Sequence, residues 1–262
     1  EEMQQWHRET FGGKSLVVSV AGKVKAKAAL AAVDQVLKDL PAGTAAKASA
    51  LQTDFSARSV LLHKPSVEKT TLLLVGGLPD HQVTGVSDML AAAILGQGAE
   101  SRLNKSIRDT LRASYGFSAS VSAYALESRF LYLSGEVDSS KLAQVQTAAK
   151  EAYQKFLDEG PSEAEFRAAK INLLNQLKKM NESSASVAAA EMIKYVEMGW
   201  PIEGEDRALT EINALTAVDL HNYVKKAWPN ADELITVAVS ADSSVLKNAC
   251  IIERPTQAVD CR

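Results

Sequence analysis

The feature that most constrains the fold is a two-residue alternation near the middle of the chain. Within residues 116–123, serines alternate with apolar or small side chains at Phe117, Ala119, Val121 and Ala123. A period of two is typical of a half-buried β-strand. Residues 129–137, rich in Phe, Leu, Tyr and Val, predict its partner strand. From residue 138 onward the pattern is helical for about ninety residues.

The other apolar runs predict strands that are grouped along the chain. These runs contain many β-branched residues and cover residues 15–21, 58–63, 70–75 and 233–240. Because strands and helices do not alternate one for one, a doubly wound parallel sheet is disfavoured. We predict an α+β fold, with a mixed or antiparallel sheet and helices packed mainly on one face.

Local signals mark helix boundaries and one linker. Residues 23–40 have helical spacing and end at Pro41, and residues 41–56, rich in Ala, Ser, Thr, Gly and Lys, are the best linker candidate. Ser162 and Glu165 predict a capping box at a helix start. Thr216 and Asp219 predict a weaker form of the same device.

Composition excludes several classes of function. The chain has 262 residues and a net charge of -3, so it has no basic footprint for nucleic acid. No apolar run approaches the ~20 residues that would span a bilayer. The chain begins with Glu1 and no apolar leader follows, so we interpret it as a processed chain or a fragment.

Cysteines and histidines offer little for a metal. Cys250 and Cys261 are too few for paired Cys-x-x-Cys ligands. They form either a disulfide, which implies an oxidising compartment, or two unrelated thiols. None of the histidines stands in His-Glu-x-x-His or its inverted form, which excludes a zinc site built on one helix: His7, His63, His81 and His221.

Residues 96–120 carry the sharpest chemical signal, a Gly-rich turn followed by a short basic helix and a strand. Arg108 and Tyr115 lie seven residues apart, where the helix gives way to the strand. Together an Arg and a Tyr can bind a carbonyl oxygen that gains negative charge. The alternative is a solvated Arg and a Tyr packed in the core.

This stretch resembles the second half-domain of the pitrilysin/insulinase-type zinc metallopeptidases. That family shows a Gly-rich turn, then Ser-Arg-Leu, an Arg-acid pair and a Tyr seven residues past the Arg. Here these are Gly96-Gln97-Gly98, Ser101-Arg102-Leu103, Arg108-Asp109 and Tyr115. The resemblance extends to residues 6–22, 161–170 and 216–220, and so to most of the chain. The family has Gly-Leu-Ala before the Tyr, whereas this chain has Arg112-Ala113-Ser114.

The resemblance implies a half-clamshell fold and a division of the chain. Residues 1–40 would be the closing helix, strand and helix of a preceding half-domain, residues 41–56 the linker, and residues 57–262 the C-terminal half-domain. One half binds zinc and activates water. The half seen here closes over an unfolded peptide.

The resemblance also implies roles for individual residues. Arg108 would donate to the scissile carbonyl or a neighbouring one, and the Tyr115 hydroxyl to the developing oxyanion. Contacts to the substrate would come from the Gly-rich turn and the residues after it: Gly96, Gly98, Ser101 and Arg102.

The resemblance implies that this chain holds no metal of its own and is inactive in isolation. Zinc is expected on a partner, a half-domain or subunit of the same family, in a homo- or heterodimer. The resemblance and the cysteine pair favour a periplasmic or otherwise secreted location, while a mitochondrial or cytoplasmic one stays open. Two alternatives remain: a non-catalytic scaffold subunit on the same fold, and a module that captures extended peptides by strand addition.

Overall fold

A computed structural model describes residues 1–43, 53–79, 85–125, 128–181, 184–197 and 204–261. The chain forms two compact units, one of Glu1–Ala50 with Asn175–Arg207 and the other of Leu51–Leu174 with Ala208–Arg262. Most of the predicted linker, residues 44–52, lies outside the described residues. Among the helices of the described residues, none has the length and apolarity that crossing a membrane requires.

The second unit is built on a mixed sheet, which in the described residues has six strands. They are β1 (Ser59–His63), β2 (Thr70–Leu78), β3 (Phe117–Ala125), β4 (Ser128–Val137), β5 (Ile235–Ser240) and β6 (Cys250–Ile252). Their order across the sheet is β3-β4-β2-β5-β1-β6. β1 runs parallel to β5 and β6, and the other neighbours are antiparallel. The predicted mixed sheet is confirmed.

Helices of the second unit cover one face of this sheet. In the described residues, the α-helices of both units are α1 (Glu2–Thr10), α2 (Ala26–Leu37), α3 (Val86–Gly96), α4 (Leu142–Glu159), α5 (Glu163–Asn181), α6 (Ala185–Glu197), α7 (Gly204–Ala214) and α8 (Ala217–Ala227). α3 packs on β3, α4 on β2 and β4, and α8 on α3 and α4. Along β2, Leu72 and Leu74 are fully buried while Leu73 and Val75 are half-buried. The core therefore lies between the sheet and the helices, as an α+β fold requires.

Most strands occur where hydrophobic periodicity predicts them. β3 and β4 pair antiparallel with Ala119 opposite Leu133 and Val121 opposite Leu131. β1, β2 and β5 also match predicted runs. β6 was not predicted, because its three residues are too few to show a period.

The predicted buried strand at residues 15–21 is wrong. Gly13–Ser15 forms a 3₁₀ turn, and residues 16–21 continue without strand structure. Leu16, Val17, Val18 and Val20 are 45–48% exposed. A strand requires a neighbour for its backbone hydrogen bonds, and no described strand pairs with this segment. The β-branched composition of the segment favours a strand, but the described residues include no partner strand for it.

The predicted helix caps are confirmed. Ser162 Oγ accepts from the Glu165 amide while the Glu165 carboxylate accepts from the Ser162 amide, at 3.2 and 2.8 Å. Thr216 and Asp219 make the same reciprocal pair at the start of α8. Each cap satisfies two N–H groups that the helix itself cannot.

A disulfide closes the β6 edge of the sheet. Cys250 and Cys261 are bonded, with their Cα atoms 5.6 Å apart. Cys261 is buried against Val60 and Ile252, so the bridge holds the end of the described chain on the sheet. Of the two interpretations left open by the sequence, the structure forms the disulfide.

A buried ion pair joins α3, β4 and α8. The Arg129 guanidinium donates to Asp88 and to the Pro79 carbonyl. The other Asp88 oxygen accepts from the Tyr223 hydroxyl and from Trp228 Nε1, each at 2.9 Å. Both charged side chains are less than a tenth exposed. Burial first, and then the Asp88 charge, raise the pKa of Tyr223, which keeps its proton as a donor.

Candidate functional site

The basic helix predicted before the hairpin contains a π-helical segment, Asn104–Thr110. Its hydrogen bonds span more residues than those of an α-helix: the Leu111 amide donates to Ser106 O at 3.3 Å and the Ala113 amide to Ile107 O at 3.2 Å. Ile107 is fully buried, whereas Arg108 is exposed. π-Helical turns are rare and occur often at functional sites.

Asn104 anchors this segment to its neighbours. Its Nδ2 donates to Gly98 O at 2.9 Å and to Ser101 Oγ at 3.0 Å, and its Oδ1 accepts the Phe117 amide at 2.9 Å. The residue is only 8% exposed. Sequence reasoning missed Asn104, although an Asn inside a helical pattern is itself a signal, since its side chain competes for backbone hydrogen bonds.

Arg108 and Tyr115 line the same surface cavity, which has a volume of about 540 Å³. Tyr115 is 90% exposed, so the alternative of a Tyr packed in the core is wrong. Lys69 Nζ lies 4.7 Å from the centroid of the Tyr115 ring, a cation–π contact at the edge of the cavity. The structure thus brings together the two residues that the sequence singled out, and adds Lys69 to them.

Arg112, which lines the same cavity, has a left-handed backbone with φ 48°. This is the position where the resembled family has glycine. A residue with a Cβ adopts that conformation at a cost of about 1–2 kcal/mol. Contacts on either side hold the turn: Lys141 Nζ donates to Arg112 O at 3.2 Å, and Ser114 Oγ to Glu136 O at 2.6 Å.

Both cations and carboxylates line the cavity, but none of these carboxylates forms an ion pair with Arg108 or Arg112. Lys69, Arg108 and Arg112 supply the cations, and the acidic residues are Glu68, Glu136 and Asp138. Among the described residues, neither arginine forms an ion pair. The Ser140 hydroxyl and then the Ser140 amide donate to Asp138 and lower its pKa, so Asp138 stays ionised at neutral pH.

The Gly-rich turn lies outside this cavity. Gly96 ends α3 so close to β3 that a Cβ there would collide with the Ala119 backbone nitrogen. Gly98 has φ +81°, and its carbonyl accepts from Ser101 Oγ at 2.8 Å. These residues shape the turn that precedes the π-helical segment. A role for Gly96, Gly98 and Ser101 in substrate binding stays a prediction.

Arg102 is engaged within the fold. Its guanidinium donates to both carboxylate oxygens of Glu165 at 2.8 Å and to Gly160 O at 2.7 Å, and it lies over the Phe156 ring. The hydrogen bonds from Arg102 are the main reason that the pKa of Glu165 is lowered to about 2. Arg102 borders a second cavity of about 580 Å³. Its predicted contact with substrate also stays a prediction.

The described residues do not offer a zinc site. They contain no group of three or more His, Cys, Asp or Glu side chains that could hold a metal ion. His81, one of the histidines considered from the sequence, lies outside the described residues. The side chains that can be described therefore do not fit zinc.

The fold and the cavity define an α+β half-domain that carries an Arg and a Tyr at its surface. Residues 1–173 match the family model for the peptidase M16 inactive domain. Because the match covers most of the chain, the protein belongs to this family. No curated protein matches its sequence.

Solved structures agree on the fold. The peptidase M16 inactive domain from Pseudomonas fluorescens has a TM-score of 0.80 at 17% identity, over 97% of this chain and 58% of that one. The first half of the periplasmic protease PqqL from Escherichia coli gives 0.69 at 16% identity, over 91% and 53%. A chain of Complex III2 from Candida albicans gives 0.66 at 14% identity, over 82% and 53%. The chain thus spans a little over half the length of each.

Proposed function

We propose that this chain is the zinc-free half of a pitrilysin/insulinase-like zinc metalloendopeptidase. In this function it closes over an unfolded peptide and polarises the carbonyl of the bond to be cut. The observation that carries the proposal is the shared cavity of Arg108 and Tyr115, with the Tyr115 ring 90% exposed. Membership of the peptidase M16 inactive-domain family supports it.

The chemical roles follow from the donors that the two side chains possess. The Arg108 guanidinium donates to the scissile carbonyl or a neighbouring one and orients the peptide. The Tyr115 hydroxyl donates to the same oxygen as negative charge develops on it. Such a donor acts mainly on the transition state, so it raises the rate more than the affinity.

The activated water has to come from a zinc-binding half-domain or subunit of the same family, in a homo- or heterodimer. Residues 1–40 offer a surface to which such a partner could bind. They expose eleven large apolar side chains: Met3, Trp6, Phe11, Leu16, Val17, Val18, Val20, Val24, Leu30, Val36 and Leu40. Exposed apolar residues in such density are typical of an interaction surface. We assign residues 1–40 to a preceding half-domain and residues 57–262 to the C-terminal one.

A periplasmic or otherwise secreted location fits this function. The Cys250–Cys261 disulfide is stable in oxidising compartments and rare in the cytosol. One structure of similar fold comes from a periplasmic protease. A mass spectrum of the protein purified from its native compartment, with thiols blocked at lysis, tests this: free thiols at both cysteines would contradict it.

The test of function combines this chain with its zinc-bearing partner and an internally quenched peptide. The chain alone should leave the peptide uncut, and the combination should cut it. Arg108→Ala and Tyr115→Phe should each lower kcat by roughly 100- to 1000-fold. Lys105→Gln is the matched control, since Lys105 lies on the same helical segment but outside this cavity. Wild-type turnover in both variants would refute the catalytic roles, and cleavage by the chain alone would refute the need for a partner.

The second candidate is a non-catalytic scaffold or peptide-binding subunit. Its support is the similar fold of a chain in Complex III2. A scaffold predicts a stable complex that contains no zinc and cuts no peptide. Metal analysis of the purified complex, alongside the same peptide assay, separates the two functions.

A further inference from the structure

Arg112 occupies a backbone position that suits glycine. Its φ of 48° lies in the left-handed region, where a Cβ is unfavourable. Its side chain is exposed and lines the cavity of Arg108 and Tyr115, so it gains no core packing in return. Strained residues of this kind persist where the side chain has a function, and they cluster at binding and active sites.

Arg112 also stands four residues after Arg108, and both side chains line the cavity. Lys69 lines the cavity too, and Lys141 donates to the Arg112 carbonyl. Neither arginine has an ion-pair partner within the described ranges, although Glu68, Glu136 and Asp138 line the same cavity. The lining thus holds as many carboxylates as cations, yet the two guanidinium groups form no ion pair within the described ranges and are available to a carboxylate of a ligand.

We propose that Arg112 forms a carboxylate-binding subsite, with Arg108 adding to its positive potential. The ligand is a carboxylate of the bound peptide, from an Asp or Glu side chain or from a C-terminus. A guanidinium binds a carboxylate through two parallel hydrogen bonds, which gives both affinity and orientation. The inference rests on the proposed function in one respect, that the occupant of the cavity is a peptide. It makes Arg112 a specificity-determining residue.

The experiment is a titration of the whole ¹⁵N-labelled chain, followed by amide chemical shifts. The probes are four N-acetylated alanine hexapeptides, with Glu or Gln at the third position and a free or amidated C-terminus. The acidic peptides should bind the wild type about tenfold more tightly than the neutral, amidated Gln peptide. The Glu and free-acid arms show which source of carboxylate is preferred.

Three variants decide the role of Arg112. Arg112→Gly fits the left-handed backbone and should abolish the preference for acidic peptides, while Arg112→Lys should retain part of it. Lys105→Gln, which removes a cation outside the cavity, should keep all of it. A preference that survives Arg112→Gly would overturn the proposal, and so would equal affinity for acidic and neutral peptides, including no binding of either. Failure of the proposed function would appear differently, as full turnover in Arg108→Ala and Tyr115→Phe.

Discussion

The Asn104 side-chain oxygen accepts the Phe117 amide at 2.9 Å. This hydrogen bond links the π-helical segment to the first residue of β3. Arg108 and Tyr115 both lie between the two bonded residues, so the bond fixes the two ends of the segment that carries them. The Asn104 amide group holds the Gly98 carbonyl at the same time, which ties the Gly-rich turn into the same unit.

Asn104→Leu should destabilise the protein by about 1–3 kcal/mol. The substitution keeps the size of the side chain, but it removes the acceptor of the buried Phe117 amide and one donor to the Gly98 carbonyl. Urea denaturation measures the change. Asn222→Leu is the control, because Asn222 is exposed on α8 and should shift stability by less than about 0.5 kcal/mol. Equal stability of the two variants would show that Asn104 is not an anchor.

Hydrophobic periodicity predicted the elements whose partners lie within the chain. The serine alternation of residues 116–123 set β3, because its apolar side faces α3 and its ladder to β4 follows directly in sequence. The run at residues 15–21 has equally good strand composition, yet it is exposed and unpaired in the described residues. Composition measures a preference for the strand conformation, whereas a strand also requires a neighbour.

Some residues of the site could be predicted from the sequence, and others could not. Spacing at the helix-to-strand junction made Arg108 and Tyr115 candidates, and the family resemblance favoured them over a solvated Arg and a Tyr packed in the core. Arg112 could not be predicted as a strained residue, since its φ is a property of the folded turn. Lys69 could not be predicted either. It precedes β2 as Tyr115 precedes β3, and the two residues meet only because β2 and β3 begin at the same end of the folded sheet.

The ion pair of Arg102 and Glu165 makes stability depend on acidity. The pKa of Glu165 is lowered from 4.5 to about 2 in the folded state. The ionised carboxylate therefore adds to the free energy of unfolding in full at pH values above the unfolded pKa. This contribution is lost as the pH falls from about 4.5 towards 2. Allowing for screening of a partly exposed pair, we expect about 2 kcal/mol of stability to disappear over this range.

Glu165→Gln should remove that part of the pH dependence. The variant should be less stable than the wild type at pH 7 and should approach it near pH 2, where Glu165 becomes protonated in both the folded and unfolded wild type. Urea denaturation at several pH values measures both curves. Glu163→Gln, an exposed change on the same helix, should leave the curve of the wild type unaltered. Parallel curves for the wild type and Glu165→Gln would contradict the assignment.

The Asp88–Arg129 pair should be the most sensitive charged contact of the core. Arg129→Met removes the cation that is paired with the buried Asp88 carboxylate and leaves, among the described residues, Tyr223 and Trp228 as its donors. We expect a loss of about 3–5 kcal/mol, against about 0–1 kcal/mol for Lys155→Met, which breaks the exposed Lys155–Glu159 pair. Asp88→Leu combined with Arg129→Met should recover part of the loss, because no unpaired charge remains. A double variant no more stable than Arg129→Met would show that the unpaired charge is not the cause.

The Cys250–Cys261 disulfide should stabilise the β6 edge mainly by restricting the unfolded chain. The cysteines are 11 residues apart, and closing a loop of that size is worth about 3 kcal/mol. Reduction should therefore lower Tm by about 5–10 °C for a unit of this size. The variant with both cysteines changed to Ser should melt at that lower Tm with or without reductant. The stabilising role would be wrong if the wild type, shown by mass spectrometry to be fully reduced, kept the Tm of the oxidised protein.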